Sequence, residues 1–130
     1  MSDFDQGLHE EEARERWGDT EAYRESRRRW SGYTKADRAR MKGEMEAIEA
    51  GFAEAMRAGE AVDGERALGL AEAARAHIDR WFYPCPPAMH VALADMYTAD
   101  PRFRAHYEDR AEGLAAFVAG AIRANAERGG

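Results

Sequence analysis

An all-α fold follows from three observations on the sequence. The composition is rich in Ala, Glu, Arg and Met and poor in β-branched residues. No alternating Val/Ile/Thr run of the kind a half-buried strand needs occurs anywhere. Apolar residues recur instead at intervals of three and four, between segments punctuated by Gly and Pro. At 130 residues the chain fits a single domain, 1–130, with one core.

Residues 1–8 carry no periodicity. A short helix is expected from Glu10 to Trp17, stopped by Gly18. Asp19 or Thr20 then caps a second helix, Glu21–Trp30, because a side-chain oxygen there can accept from an otherwise unpaired backbone N–H. Seven residues separate Tyr23 from Trp30, which puts both on one face. Ser31-Gly32 ends this helix. Thr34-Lys35-Ala36-Asp37 reads as a capping box opening the longest helix. On it Met41, Met45, Ile48, Phe52 and Met56 line one face, and Lys42, Glu44, Glu46, Glu49 and Glu54 are expected to be solvated.

Gly59 to Gly64 reads as a turn, with Asp63 as cap for a helix from Glu65 to about Phe82. Its buried face is Ala67, Leu70, Ala71, Ala74, Ile78, Trp81 and Phe82. Pro84 and Pro86-Pro87 stop it, since proline lacks the N–H and constrains the residue before it. Pro86 or Pro87 can open the next helix. There Met89, Leu93, Met96 and Tyr97 form a stripe. Asp100-Pro101 caps a short segment with Phe103 and Tyr107, and Leu114, Phe117, Val118, Ala121 and Ile122 mark a closing helix. About five to seven helices of unequal length with a proline elbow suit a globin-like arrangement better than a regular bundle.

Several functions are disfavoured. The net charge of −6 argues against direct nucleic-acid binding by this chain. No apolar run approaches the roughly 20 residues of a membrane span. Met1 to Asp5 shows no secretory signal, so a cytoplasmic protein is expected. His77, His90 and His106 fall on three segments without HxxxH or HExxH spacing, so no metal and no haem is expected, and each reads as a partly exposed polar residue. Cys85 with His90 is the one thinkable nucleophile pair, but its Pro-Cys-Pro setting offers few oxyanion donors. Cys85 reads as a small buried filler, and the protein as no enzyme, without cofactor. Trp17, Tyr23, Trp30, Tyr33, Trp81, Phe82, Tyr83 and Tyr97, with Met89 and other methionines, serve equally well as core or as the wall of a half-wet cleft for a large flat ligand.

Arg16-Trp17-Gly18-Asp19-Thr20-Glu21-Ala22-Tyr23-Arg24-Glu25-Ser26, followed by Tyr33-Thr34-Lys35, resembles the N-terminal signature of the TipA-type antibiotic-recognition domain. His77 to Tyr97, then Asp100-Pro101-Arg102-Phe103, Gly113-Leu114-Ala115-Ala116 and Ala121-Ile122, resemble its C-terminal half. This family is the ligand-binding module of MerR-type multidrug-responsive activators and also occurs without the DNA-binding domain. The resemblance implies a globin-like fold without haem, bulky antibiotics such as thiopeptides as ligands, and an N-terminal part that orders on binding. No basic helix-turn-helix precedes Trp17, so the free-standing, sequestering form is the closer match, with residues 1–35 as a ligand-ordered lid. A regulatory or protein-interaction module of such an activator is the alternative.

In the antibiotic-binding reading that the resemblance favours, Trp81, Phe82, Tyr83, Met89, His90 and Tyr97 are expected to form a pocket floor. Trp17, Tyr23, Trp30 and Tyr33 close over the ligand. The cysteine that adds to the antibiotic's dehydroamino acid in characterised thiopeptide binders corresponds to Ala92, so reversible binding is expected. Where the family often has His, this chain has Ala74.

Overall fold

The computed structural model describes residues 21–128, leaving aside the side chains of Ala22 and Tyr23. The expected helix Glu10–Trp17 and the cap at Asp19 or Thr20 lie outside the described residues. Within them the fold is all-α: α1 (Glu21–Ser31), α2 (Lys35–Arg57), α3 (Glu65–Trp81), α4 (Pro87–Ala99), α5 (Pro101–Glu108) and α6 (Leu114–Glu127). The arrangement is globin-like.

Local chemistry explains the boundaries. Thr34 accepts from the Asp37 N–H at 3.0 Å while the Asp37 carboxylate accepts from the Thr34 N–H at 3.0 Å, so α2 starts on a complete capping box. Helix α3 opens on Gly64 without a side-chain cap, not on Asp63 as expected, and ends at Trp81 with Phe82 as its C-cap. Pro86 caps α4 and Pro87 is its first residue, where the missing N–H has no helical partner to lose. Asp100 closes α4 and caps α5, accepting from the Arg102 N–H at 2.9 Å. Gly113 precedes α6 with φ of 88°, a left-handed conformation that glycine adopts without strain.

Helix α6 is the central element, packed against α2, α3, α4 and α5, while α1 touches the rest mainly through α3. Its inward residues Leu114, Phe117, Val118, Ala121 and Ile122 are all buried, as their spacing predicts. Helices α2 and α3 approach closely at Gly51, where a Cβ would meet a Leu70 methyl at 2.8 Å. The α2 stripe is buried at Met41, Met45 and Phe52 and half-buried at Ile48 and Met56.

Three polar residues depart from the sequence reading. Glu49, expected to be solvated, is 7% exposed. It falls four residues after Met45 and three before Phe52, on the inward stripe, and its carboxylate is compensated by His106 Nε2 at 3.0 and 3.1 Å. His77 (7% exposed) and His90 (2%) are buried because each shares a helix face with apolar neighbours, whereas His106 is half-buried as expected. Cys85 is fully buried, in keeping with its reading as a filler.

Candidate functional site

The elbow after α3 is fixed by its own polar groups. The Asp79 carboxylate accepts from the Cys85 N–H at 2.9 Å, and Arg75 Nη1 donates to the Cys85 carbonyl at 2.9 Å. The Met89 and His90 N–H groups donate to the Pro86 carbonyl. These bonds compensate for the donors that three prolines remove. They also set the entry of α4, and with it the positions of Met89, His90 and Tyr97.

Four of the expected aromatics meet at a seam between α1 and the elbow. The Trp30 ring lies parallel to Phe82 with centroids 6.4 Å apart and meets Tyr33 edge-on at 6.1 Å. Tyr33 packs edge-on against Trp81 at 5.1 Å, and its hydroxyl donates to the Trp81 carbonyl at 2.6 Å. Cations cover the outer rings: Arg38 lies 4.6 Å from the Trp30 centroid, and Arg40 and Arg80 lie 5.3 and 4.8 Å from that of Trp81. Trp81 Nε1 donates to Glu44 at 2.8 Å. Arg29 ties α1 to the end of α3 by donating to the Asp79 and Arg80 carbonyls at 2.6 and 3.2 Å.

The remaining described residues divide. His90 and Tyr97 line a partly open cavity of about 40 Å³ together with Met45, Ile48, Glu49, Phe52, Ala74, His77, Ile78, Tyr107, Val118 and Ile122. Tyr83 is buried in the core and Met89 is partly buried against it. Trp17 lies outside the described residues, as does the side chain of Tyr23. Outside the cavity an open groove of about 450 Å³ runs between α2 and α3, walled by Glu44, Ala47, Ile48, Ala73, Ala76, His77 and Arg80. Ile48 and His77 belong to both walls, so groove and cavity adjoin at these two side chains.

His77 is therefore the residue that joins the parts, with its ring 6.5 Å from both Trp81 and Phe82. Sequence reasoning gave this role to its neighbours. Its spacing to Ala74, Ile78 and Trp81 placed it on the buried side of α3 and was the available signal.

Electrostatics fix the state of the cavity. Burial lowers the His77 pKa, partly opposed by its bond to the Met41 carbonyl, so the ring is neutral at pH 7. A carbonyl only accepts, so His77 Nε2 carries the proton it shares with Met41 at 2.9 Å and Nδ1 is a bare acceptor. Burial, then the Arg75 guanidinium, brings His90 down to about 4 against the opposing pull of Glu72. Glu72 itself falls to about 2, chiefly through its hydrogen bond with Arg75. The cavity thus offers two neutral imidazoles and a compensated carboxylate among apolar walls, an arrangement suited to hydrogen bonding. Among the described residues no group of three His, Cys, Asp or Glu side chains could hold a metal ion. None of the described helices is long and apolar enough to cross a membrane.

Comparison with known proteins places these features in context. The model of the TipAS antibiotic-recognition domain matches residues 9–125. The chain is 44% identical over 128 residues to the HTH-type transcriptional activator TipA of Streptomyces coelicolor, and equally to that of Streptomyces lividans. The alignment covers 98% of this chain and 51% of each relative, so the chain spans about half the length of the activators it matches. Among solved structures it is similar to TipAS of Streptomyces lividans in complex with the thiopeptide antibiotic nosiheptide. The TM-score is 0.83 at 42% identity, covering 95% of this chain and 86% of that one.

Proposed function

The chain belongs to the TipAS antibiotic-recognition domain family, and from that premise we propose that it binds bulky thiopeptide antibiotics reversibly and catalyses no reaction on them. The observation that carries the reading is its likeness, over nearly the whole chain, to a domain bound to nosiheptide. Two features of the site support it. The groove between α2 and α3, at about 450 Å³, falls in the range of about 300–1,000 Å³ usual for small-molecule sites. The aromatic seam beside it supplies flat apolar surface with polar edges.

In this reading Trp81, Phe82, Tyr83, Met89, His90 and Tyr97 make the floor or back it from the core. Trp30 and Tyr33, together with Trp17 and Tyr23, close over the ligand, and residues 1–35 act as a lid on a single domain. Reversibility rests on Ala92, half-buried on α4, which offers no nucleophile where the family's thiopeptide binders carry cysteine. Cys85 is fully buried at the elbow and so is shielded from a ligand in the cleft.

Titration with nosiheptide tests the proposal. Tryptophan fluorescence should change saturably at one ligand per chain, the melting midpoint should rise, and dialysis should restore both with no added mass. Unaltered fluorescence and midpoint at saturating nosiheptide would overturn it. A second reading, the sensing half of a transcriptional activator, is favoured by relatives that are activators of about twice this length. Ligand-dependent association with a promoter-binding partner would distinguish it from plain sequestration.

A further inference from the structure

The first turns of α2 carry charge of one sign in a chain whose net charge is −6. Residues 35–43 hold Lys35, Arg38, Arg40 and Lys42 against Asp37 alone. Two of these cations leave buried donors unused. Lys42 Nζ and Arg38 Nε are both shut off from solvent, and neither has a hydrogen-bond partner. A buried cationic N–H without an acceptor is costly, and native proteins seldom leave one. Four residues apart, the two side chains stand on one face of α2.

The acids nearby on the same helix are committed elsewhere. Asp37 closes the capping box with Thr34 and lies 3.7 Å from Arg40. Glu44 accepts from Trp81 Nε1, Glu46 pairs with Arg110 at 2.7 Å, and Glu49 is held by His106. Arg38 is fixed in place, donating through Nη2 to the Trp30 carbonyl at 3.2 Å and covering the Trp30 ring at 4.6 Å. A planar fork and a point charge thus stand side by side, both suited to an anion. Both residues are half-buried, so part of each reaches the surface and a small solute can meet the amine after a rotamer change. The N-terminal end of the α2 dipole has the same sign.

We propose that Arg38 and Lys42 form a binding site for a small oxyanion, which accepts from Arg38 Nε and Lys42 Nζ where α1 meets α2. A carboxylate and a phosphate share this chemistry, acceptor oxygens on a negative centre. Bound there, the anion braces α2 against Trp30 and so against the aromatic seam. The inference stands on the unmatched donors and does not require that nosiheptide bind.

Sodium phosphate and sodium acetate are the probes, titrated into the full chain at pH 7 with ionic strength held constant by chloride. Phosphate should shift the Arg38 Nε and Lys42 Nζ resonances saturably and raise the melting midpoint, by mass action on the folded state. Lys42→Met removes the charge but keeps an apolar stem. It should melt no lower than the wild type in chloride and weaken the anion by about tenfold or more, as loss of a charged hydrogen bond implies. Lys42→Arg should retain binding. Arg38→Gln should weaken it to a similar degree, and Lys42→Met decides if that variant, which also releases Trp30, is unfolded. Tighter binding of acetate assigns the site to a carboxylate, and tighter binding of phosphate to a phosphate group. Both results support the site. Donor resonances that move equally with chloride, a Lys42→Met chain that melts lower, or one that titrates unchanged would overturn it.

Discussion

His90 combines near-complete burial with the nearby Arg75 guanidinium, and both disfavour its protonated form. The consequence for stability follows from linkage. A histidine whose folded pKa is depressed from 6.5 to about 4 binds its proton more readily in the unfolded chain. Stability is therefore full above pH 6.5 and declines as pH falls towards 4. At about 1.36 kcal/mol per unit, the loss from this one site approaches about 3 kcal/mol. Burial pushes His77 in the same direction. Urea unfolding between pH 7 and 4.5 should show this slope, and His90→Leu should flatten it. A slope untouched by the substitution would place the titrating group elsewhere; Glu72, depressed to about 2, acts only below its ordinary value of 4.5. Ala92 gives a second expectation at this scale, resting on the proposed nosiheptide binding. Ala92→Cys should gain the mass of one nosiheptide, as the thiolate adds to the antibiotic's dehydroamino acid, while the wild type shows no adduct. If the variant binds nosiheptide but gains no mass, Ala92 does not face the reactive group. Single residues were also where the sequence was hardest to read. Glu49 and His77 lie on apolar faces by spacing, but a polar side chain in such a stripe looks solvated until its partners, here His106 and the Met41 carbonyl, are known.

Helices were far more legible, because their boundaries are written in local chemistry. The Thr34–Asp37 capping box, Pro87 at the start of α4 and Asp100-Pro101 before α5 all rest on residues a few positions apart. Gly64 in place of Asp63 shows the limit, since either residue can precede a helix and the choice falls to how the turn packs. Thr34→Ala should therefore cost about 1 kcal/mol in urea unfolding, with the midpoint lowered and the denaturant slope unchanged. Helix α1 is different in kind. Among the described residues its ties to the body include Arg29 on two α3 carbonyls, Trp30 on Phe82, and Arg38 donating to the Trp30 carbonyl at 3.2 Å, with Tyr33 on Trp81 just beyond its end. Among its described side chains Ser26 is the one that is buried. Such a helix opens at low free-energy cost relative to the whole. Trp30→Ala should raise amide exchange across residues 24–31 while leaving α6 protected to the global limit. Equal acceleration in both helices would mean that α1 unfolds only with the core.

At the scale of the molecule, the proposed function requires a domain whose partly open cavity measures about 40 Å³ to accommodate an antibiotic many times larger. In the proposed function the ligand lies chiefly in the open groove and against the aromatic seam, because the pocket of about 40 Å³ has room for no more than a protruding group. This division was not legible in the sequence. The resemblance gathered His90, Tyr97 and the elbow aromatics into one floor, but Trp81 and Phe82 face the α1 seam whereas His90 and Tyr97 face the cavity. Only the path of α3 past α2 separates them. Incomplete filling of this cavity also weakens the fold, by at most about 1 kcal/mol at the rate of about 24 cal/mol per Å³ for a fully closed cavity. In the proposed function a group of the ligand fills this space and offsets the loss. Ala74→Leu puts the two roles in opposition, because Ala74 is half-buried on the cavity wall and leucine is a good helix former. The variant should melt several degrees higher than the wild type without ligand, yet gain less from nosiheptide. Full occupancy at one hundred times Kd adds about 2.7 kcal/mol to the wild type, and each tenfold loss of affinity removes about 1.4 kcal/mol of that gain. Differential scanning calorimetry with and without nosiheptide measures both quantities on the same samples. A variant stabilised to the full extent by nosiheptide would show that the antibiotic never reaches past Ile48 and His77, and would confine its site to the groove and seam.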